Sequence, residues 1–94
     1  MSRSDLLAEL RRLKPWLADH GVAAISLFGS FARDEAGADS DVDLLVRFDP
    51  TPGLSFFSLQ REMSERLGRP VEFCTAEALH PLARAKVEAE AIVV

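Results

Sequence analysis

Leucines recur at positions 6, 10, 13 and 17 with charged residues between them, which is the spacing of one apolar face on an α-helix. Ser2 or Ser4 stands where it can cap that helix and Gly21 where it can end it, while Pro15 should kink it or split it in two. The period then changes. Ala23–Phe28 reads as a short buried strand, Gly29-Ser30 breaks it, and Phe31–Glu35 can begin a short helix. Residues 36–40 are small and polar, a loop. Val42–Phe48 alternates, and reads as a second strand with Val42, Leu44, Val46 and Phe48 toward the core.

Asp49–Gly53 is a turn cluster. Ser55 can cap a helix from Phe56 to about Leu67, with Phe56, Leu59, Met63 and Leu67 on one side and Gly68 as its stop. Pro70–Cys74 predicts a third short strand, Pro81–Glu90 a last helix, and Ile92–Val94 an apolar end. The order is helix, strand, turn, strand, helix, strand, helix. It predicts an α/β (α+β) fold in which helices pack on a small mixed sheet, with residues 1–94 as one domain.

Composition narrows the function. With 94 residues, 48% of them hydrophobic and 28% charged, the chain has a globular balance but a small core, so a partner chain or a second copy in a homo-oligomer would help it. The net charge of −4 and the scattered arginines argue against DNA or RNA as a direct ligand. No apolar run reaches the roughly 20 residues of a membrane helix, and the start of the chain has no signal-peptide apolar region. One cysteine, Cys74, forbids an internal disulfide and fits a cytoplasmic setting.

The chemistry concentrates between Gly29 and Val46. At the front, a strand delivers the chain into Gly29-Ser30 before a helix start, where free N–H groups and a missing Cβ suit a phosphate. An ordinary strand-to-helix turn would use the same residues. At the back, Asp41 and Asp43 lie two apart on a strand, so both carboxylates share a face. Adjacent carboxylates repel, and a hard cation such as Mg²⁺ removes the conflict while sharing its other positions with phosphates. A lone pair of this kind is equally an acidic strand end facing water. A phosphate-cradling turn followed by a paired-carboxylate strand says more than either part alone.

Gly29-Ser30-x-x-Arg33 followed by Ser40-Asp41-x-Asp43-Leu44 resembles the signature of the minimal nucleotidyltransferases of the DNA polymerase beta-like superfamily. The resemblance implies that Gly29 and Ser30 hold the nucleotide phosphates and that Asp41 and Asp43 ligate one or two Mg²⁺ ions. Glu72, in Val71-Glu72-Phe73, takes the place of the family's third carboxylate, as metal ligand and as the base for the attacking hydroxyl. Glu72 is one methylene longer than the usual aspartate, and Asp34 stands where the family often has glycine. Arg33 could contact phosphate or brace the loop by pairing with an acid, and bracing is slightly favoured. Ser40 could orient Asp41 or simply be a loop residue.

The resemblance also implies transfer of AMP from ATP to a hydroxyl, commonly a tyrosine on a small all-helical HEPN-type toxin, with this chain as antitoxin. A contact-only binding module with a weak or inactive site is the alternative, and a small-molecule nucleotidyltransferase ranks last. The remaining special residues read as structural. His20 suits a helix end, His80 precedes Pro81 at a helix start, and Cys74 has no histidine partner. Trp16 is either core or partner face, and Phe56 and Phe57 divide into one core anchor and one exposed ring.

Overall fold

In the computed structural model, which describes residues 1–49 and 53–94, the first helix α1 spans Arg3–Asp19. Ser2 caps it: its hydroxyl accepts from the Asp5 N–H at 3.1 Å, and the Asp5 carboxylate accepts from the Ser2 N–H at 3.2 Å. The Ser2 N–H, with the Ser2 hydroxyl second, holds the Asp5 carboxyl below its ordinary pKa. The expected break at Pro15 does not split the helix. Pro15 and Arg11, whose carbonyl loses its i→i−4 partner, both lie on the exposed side, so water takes over that carbonyl. Leu6, Leu10 and Leu17 face inward and are fully or almost fully buried, each contributing about 1.5–3 kcal/mol.

Four strands form one sheet: β1 (Val22–Phe28), β2 (Val42–Phe48), β3 (Val71–Cys74) and β4 (Ile92–Val93), in the order β3-β2-β1-β4. The β1–β2 and β1–β4 pairs are antiparallel and β2–β3 is parallel, so the sheet is mixed as expected. The second helix α2 spans Ser55–Leu67 and ends at Gly68, whose φ of 67° takes the left-handed conformation that closes a helix. Ser55 is its first residue rather than its cap; Leu54 occupies the cap position, with no side-chain hydrogen bond. Residues 50–52 of the expected Asp49–Gly53 turn lie outside the described residues. The third helix α3 spans Pro81–Glu90. His80 caps it through Nδ1, which accepts the Leu82 N–H at 3.2 Å.

The core lies on one face of the sheet. Leu6, Leu10 and Leu17 of α1 and Leu59, Met63 and Leu67 of α2 pack on Ile25, Leu27, Val42, Leu44, Val46, Val71 and Phe73. Alternation therefore sends Asp43 and Glu72 to the opposite face. On β3, the N–H groups of Val71 and Phe73 are taken by Ser64 Oγ (2.9 Å) and Gln60 Oε1 (2.7 Å) of α2, which covers that sheet edge. Trp16 is partly buried against the core, with the Arg66 guanidinium 4.1 Å above its ring, so it clasps α1 to α2. Phe56 packs against the core while Phe57 is 65% exposed.

Candidate active site

The site begins where β1 ends. The helix expected over Phe31–Glu35 is instead a single closed turn. Arg33 N–H bonds the Gly29 carbonyl (3.1 Å), Asp34 N–H bonds Phe31 (3.1 Å) and Glu35 N–H bonds Ser30 (2.8 Å). The last two bonds, with Asp34 at φ 59°, form the terminating motif usually found at a helix C-terminus. The backbone stops after one turn because residue 34 is left-handed. That geometry also gives the physical reason a glycine suits this position, and aspartate is among the few other residues that tolerate it.

Gly29 is required twice over. Its φ is 77°, and a Cβ there would press into the Asp43 carboxylate, 3.1 Å from its Cγ. The register accounts for the contact: Phe28 pairs with Asp43 across β1 and β2, and Asp43 pairs with Glu72 across β2 and β3. Phe28, Asp43 and Glu72 thus form a row across three neighbouring strands, and Gly29 follows directly at the end of β1. Asp41, just before β2, is exposed and two residues from Asp43.

The electrostatics follow from that row. Partial burial holds the Asp43 carboxyl above its ordinary value of 3.8. The negative charges of Glu72 and then Asp41 push the same way, and Arg33 opposes them more weakly. Cys74, further along β3, is raised by burial and by Glu72 and Asp43. Among the described residues no three His, Cys, Asp or Glu side chains are gathered closely enough to hold a metal ion as they stand. The donor set nonetheless suits one. It is all oxygen, and its like charges act on one another, so a hard cation drawing the three carboxylates in would relieve their repulsion.

Two residues that the sequence did not single out hold this region. Glu90, the last residue of α3, accepts the Gly29 N–H at 3.1 Å and the Arg33 guanidinium at 3.2 and 3.3 Å. Arg33 therefore braces the loop through Glu90, with Glu35 3.5 Å away as a second acid. Arg69 sends one Nη1 to the carbonyls of Gly37 (3.5 Å), Ala38 (3.3 Å) and Ser40 (3.3 Å), with its guanidinium 5.1 Å from the Phe31 ring. It fixes the loop that leads to Asp41. The Ser40 hydroxyl points into the same loop and accepts the Gly37 N–H at 2.8 Å. A shallow cleft lined by Ala24, Ser26, Leu45, Arg47 and Glu77 continues along the open sheet face beyond Asp43.

Residues 4–94 match the family model described as "Nucleotidyltransferase domain". The chain belongs to that family. The nucleotidyltransferase is 39% identical over 83 residues to "Putative protein adenylyltransferase MJ0435" of Methanocaldococcus jannaschii, covering 87% of this chain and 89% of the relative. A solved "putative minimal nucleotidyltransferase" superposes with a TM-score of 0.86 at 35% identity, covering 100% of this chain and 97% of that one. A crystal structure of a "toxin-antitoxin with AMP-PNP" shares the nucleotidyltransferase fold with a TM-score of 0.70 at 17% identity, over 99% of this chain and 72% of that chain.

Proposed function

We propose that this nucleotidyltransferase is a magnesium-dependent protein adenylyltransferase that moves AMP from ATP to a tyrosine hydroxyl on a small helical HEPN-type partner, as the antitoxin of a toxin–antitoxin pair. The observation that carries the reading is the placement of Asp43 and Glu72 in register on adjacent strands, with the Gly29 bend directly against the Asp43 carboxylate. The adenylyltransferase name of the relative from Methanocaldococcus jannaschii supports the reaction class.

In this reading Gly29 lets the backbone approach the β- and γ-phosphates, and the Ser30 hydroxyl adds a hydrogen bond. Arg33 and Ser40 hold the surrounding loop. Asp41, Asp43 and Glu72 would hold one or two Mg²⁺ ions, and such ions would supply charge neutralisation at the triphosphate. The bond formed joins the acceptor oxygen to the α-phosphorus; the bond broken frees pyrophosphate. Glu72 accepts the proton of the acceptor hydroxyl. The cleft beyond Asp43 offers room for the nucleoside. Leu54 and Phe57, exposed apolar side chains at the start of α2, suit a surface that meets another protein. The lone cysteine suits a cytoplasmic setting, where ATP is abundant.

The test incubates the protein with ATP labelled at the α-phosphate, Mg²⁺ and the product of the adjacent gene. Label on the partner, lost in Asp43→Ala, supports the transferase. A tight complex that forms without label and is unchanged by Asp43→Ala supports neutralisation by contact alone and overturns the proposal.

A further inference from the structure

We infer that Glu90 is a resident stand-in for phosphate, which an incoming polyphosphate displaces, loosening the end of α3 as it binds. The inference rests on the proposed nucleotide site and adds a residue to it. A carboxylate that accepts a backbone N–H beside a glycine bend and pairs with a guanidinium is recognised by the same chemistry as a phosphate. Glu90 makes both contacts, to Gly29 and to Arg33. The Gly29 N–H is one of the donors the bend would offer a phosphate. While Glu90 holds it, that donor is occupied and a negative charge faces any arriving anion.

The element that carries Glu90 is lightly held. No residue of α3 is buried. Among the described residues its other side-chain hydrogen bonds are the Arg84 Nε bond to the Ala76 carbonyl at 2.8 Å and the His80 cap on the Leu82 N–H. Past Glu90 the chain runs through Ala91 into β4, whose two residues pair with Ser26 and Leu27, directly before Phe28 and Gly29. Releasing Glu90 therefore disturbs few packed groups of α3, while the chain beyond it stays anchored: Val94 is buried in the core, its N–H bonds the Ile25 carbonyl at 3.2 Å and its carbonyl accepts from Lys14 Nζ at 2.9 Å. A carboxylate that merely braced Gly29 would make the opposite prediction, because its loss would disorder the bend and weaken anion binding.

Calorimetric titration with inorganic tripolyphosphate in magnesium buffer separates the two. Glu90→Gln keeps a neutral acceptor for Gly29, and Glu90→Ala removes the group. Both should bind tripolyphosphate about tenfold more tightly than the unaltered protein, since the competing occupant no longer reduces the fraction of open sites. In the unaltered protein, tripolyphosphate should speed amide hydrogen exchange at Glu88–Ala91, the end of α3. Equal or weaker binding in both variants, or slower exchange there, overturns the stand-in. Binding by the unaltered protein that both substitutions leave unchanged sinks this inference alone. Absence of binding in all three proteins sinks it together with the nucleotidyl-transfer reading.

Discussion

Substituting Gly29 by alanine tests the geometry at its tightest point. At φ 77° a residue with a Cβ costs about 1–2 kcal/mol relative to glycine. The new methyl also enters the space of the Asp43 carboxylate, and turning that side chain off its rotamer adds about 0.5–1.5 kcal/mol. The lower entropy of the unfolded alanine chain returns about 0.4–1 kcal/mol. The net loss should be about 2 kcal/mol, or roughly 10 °C of melting temperature in a domain of this size. Urea and thermal unfolding read this directly. Repeating the substitution in an Asp43→Ala background removes the carboxylate, so the Gly29→Ala penalty should shrink there by about 1 kcal/mol. A Gly29→Ala protein as stable as the original, or a penalty identical in both backgrounds, would refute the contact between bend and carboxylate.

Three further outcomes follow from particular residues. Asp43 binds its proton more tightly folded than unfolded, so its ionised form opposes folding, and the stability present below its ordinary value of 3.8 is lost as pH rises through the higher native value. Asp43→Asn should therefore unfold at higher urea than the original protein near about pH 7, with the gap closing in acid; a gap constant with pH contradicts this. Asp34→Gly should stabilise by about 0.5 kcal/mol in thermal melts, because the left-handed backbone at φ 59° no longer carries a Cβ; a destabilised variant would refute that account. Arg69→Ala should cost about 1–2 kcal/mol and speed hydrogen exchange over Gly37–Asp41, since three carbonyls and the Phe31 ring lose one guanidinium; unchanged exchange there would contradict its role.

Where a feature is local, its residues announce it. Val42, Leu44 and Val46 alternate with Asp43 and Leu45, so both the strand and the outward face of Asp43 were readable. Pro81 and Glu90 bounded α3, and Gly68 ended α2, because proline at a helix start and a left-handed glycine at its end act through their own backbone. What depended on distant partners was not readable. The pairing of Ile92 and Val93 with β1 forms only after α3 has carried the chain back across the sheet, and two residues leave no periodic signal. Glu90 meets Gly29 across 61 positions, and nothing around it marks it as different from Glu88. The family resemblance placed Asp41, Asp43 and Glu72 together before any register was visible. The register then put Glu72 beside Asp43, while leaving the carboxylates ungathered. Pro15 misled because its rule concerns a carbonyl that here faces water.

The central claim, divalent metal held by Asp41, Asp43 and Glu72 next to the Gly29 bend, is tested most directly by titrating Mn²⁺ with a non-hydrolysable ATP analogue and following amide signals by NMR. The account predicts broadening confined to the amides around Phe28–Ser30, Asp41–Asp43 and Glu72, and its loss in Asp43→Asn. Broadening centred elsewhere, or unchanged by that substitution, would contradict it.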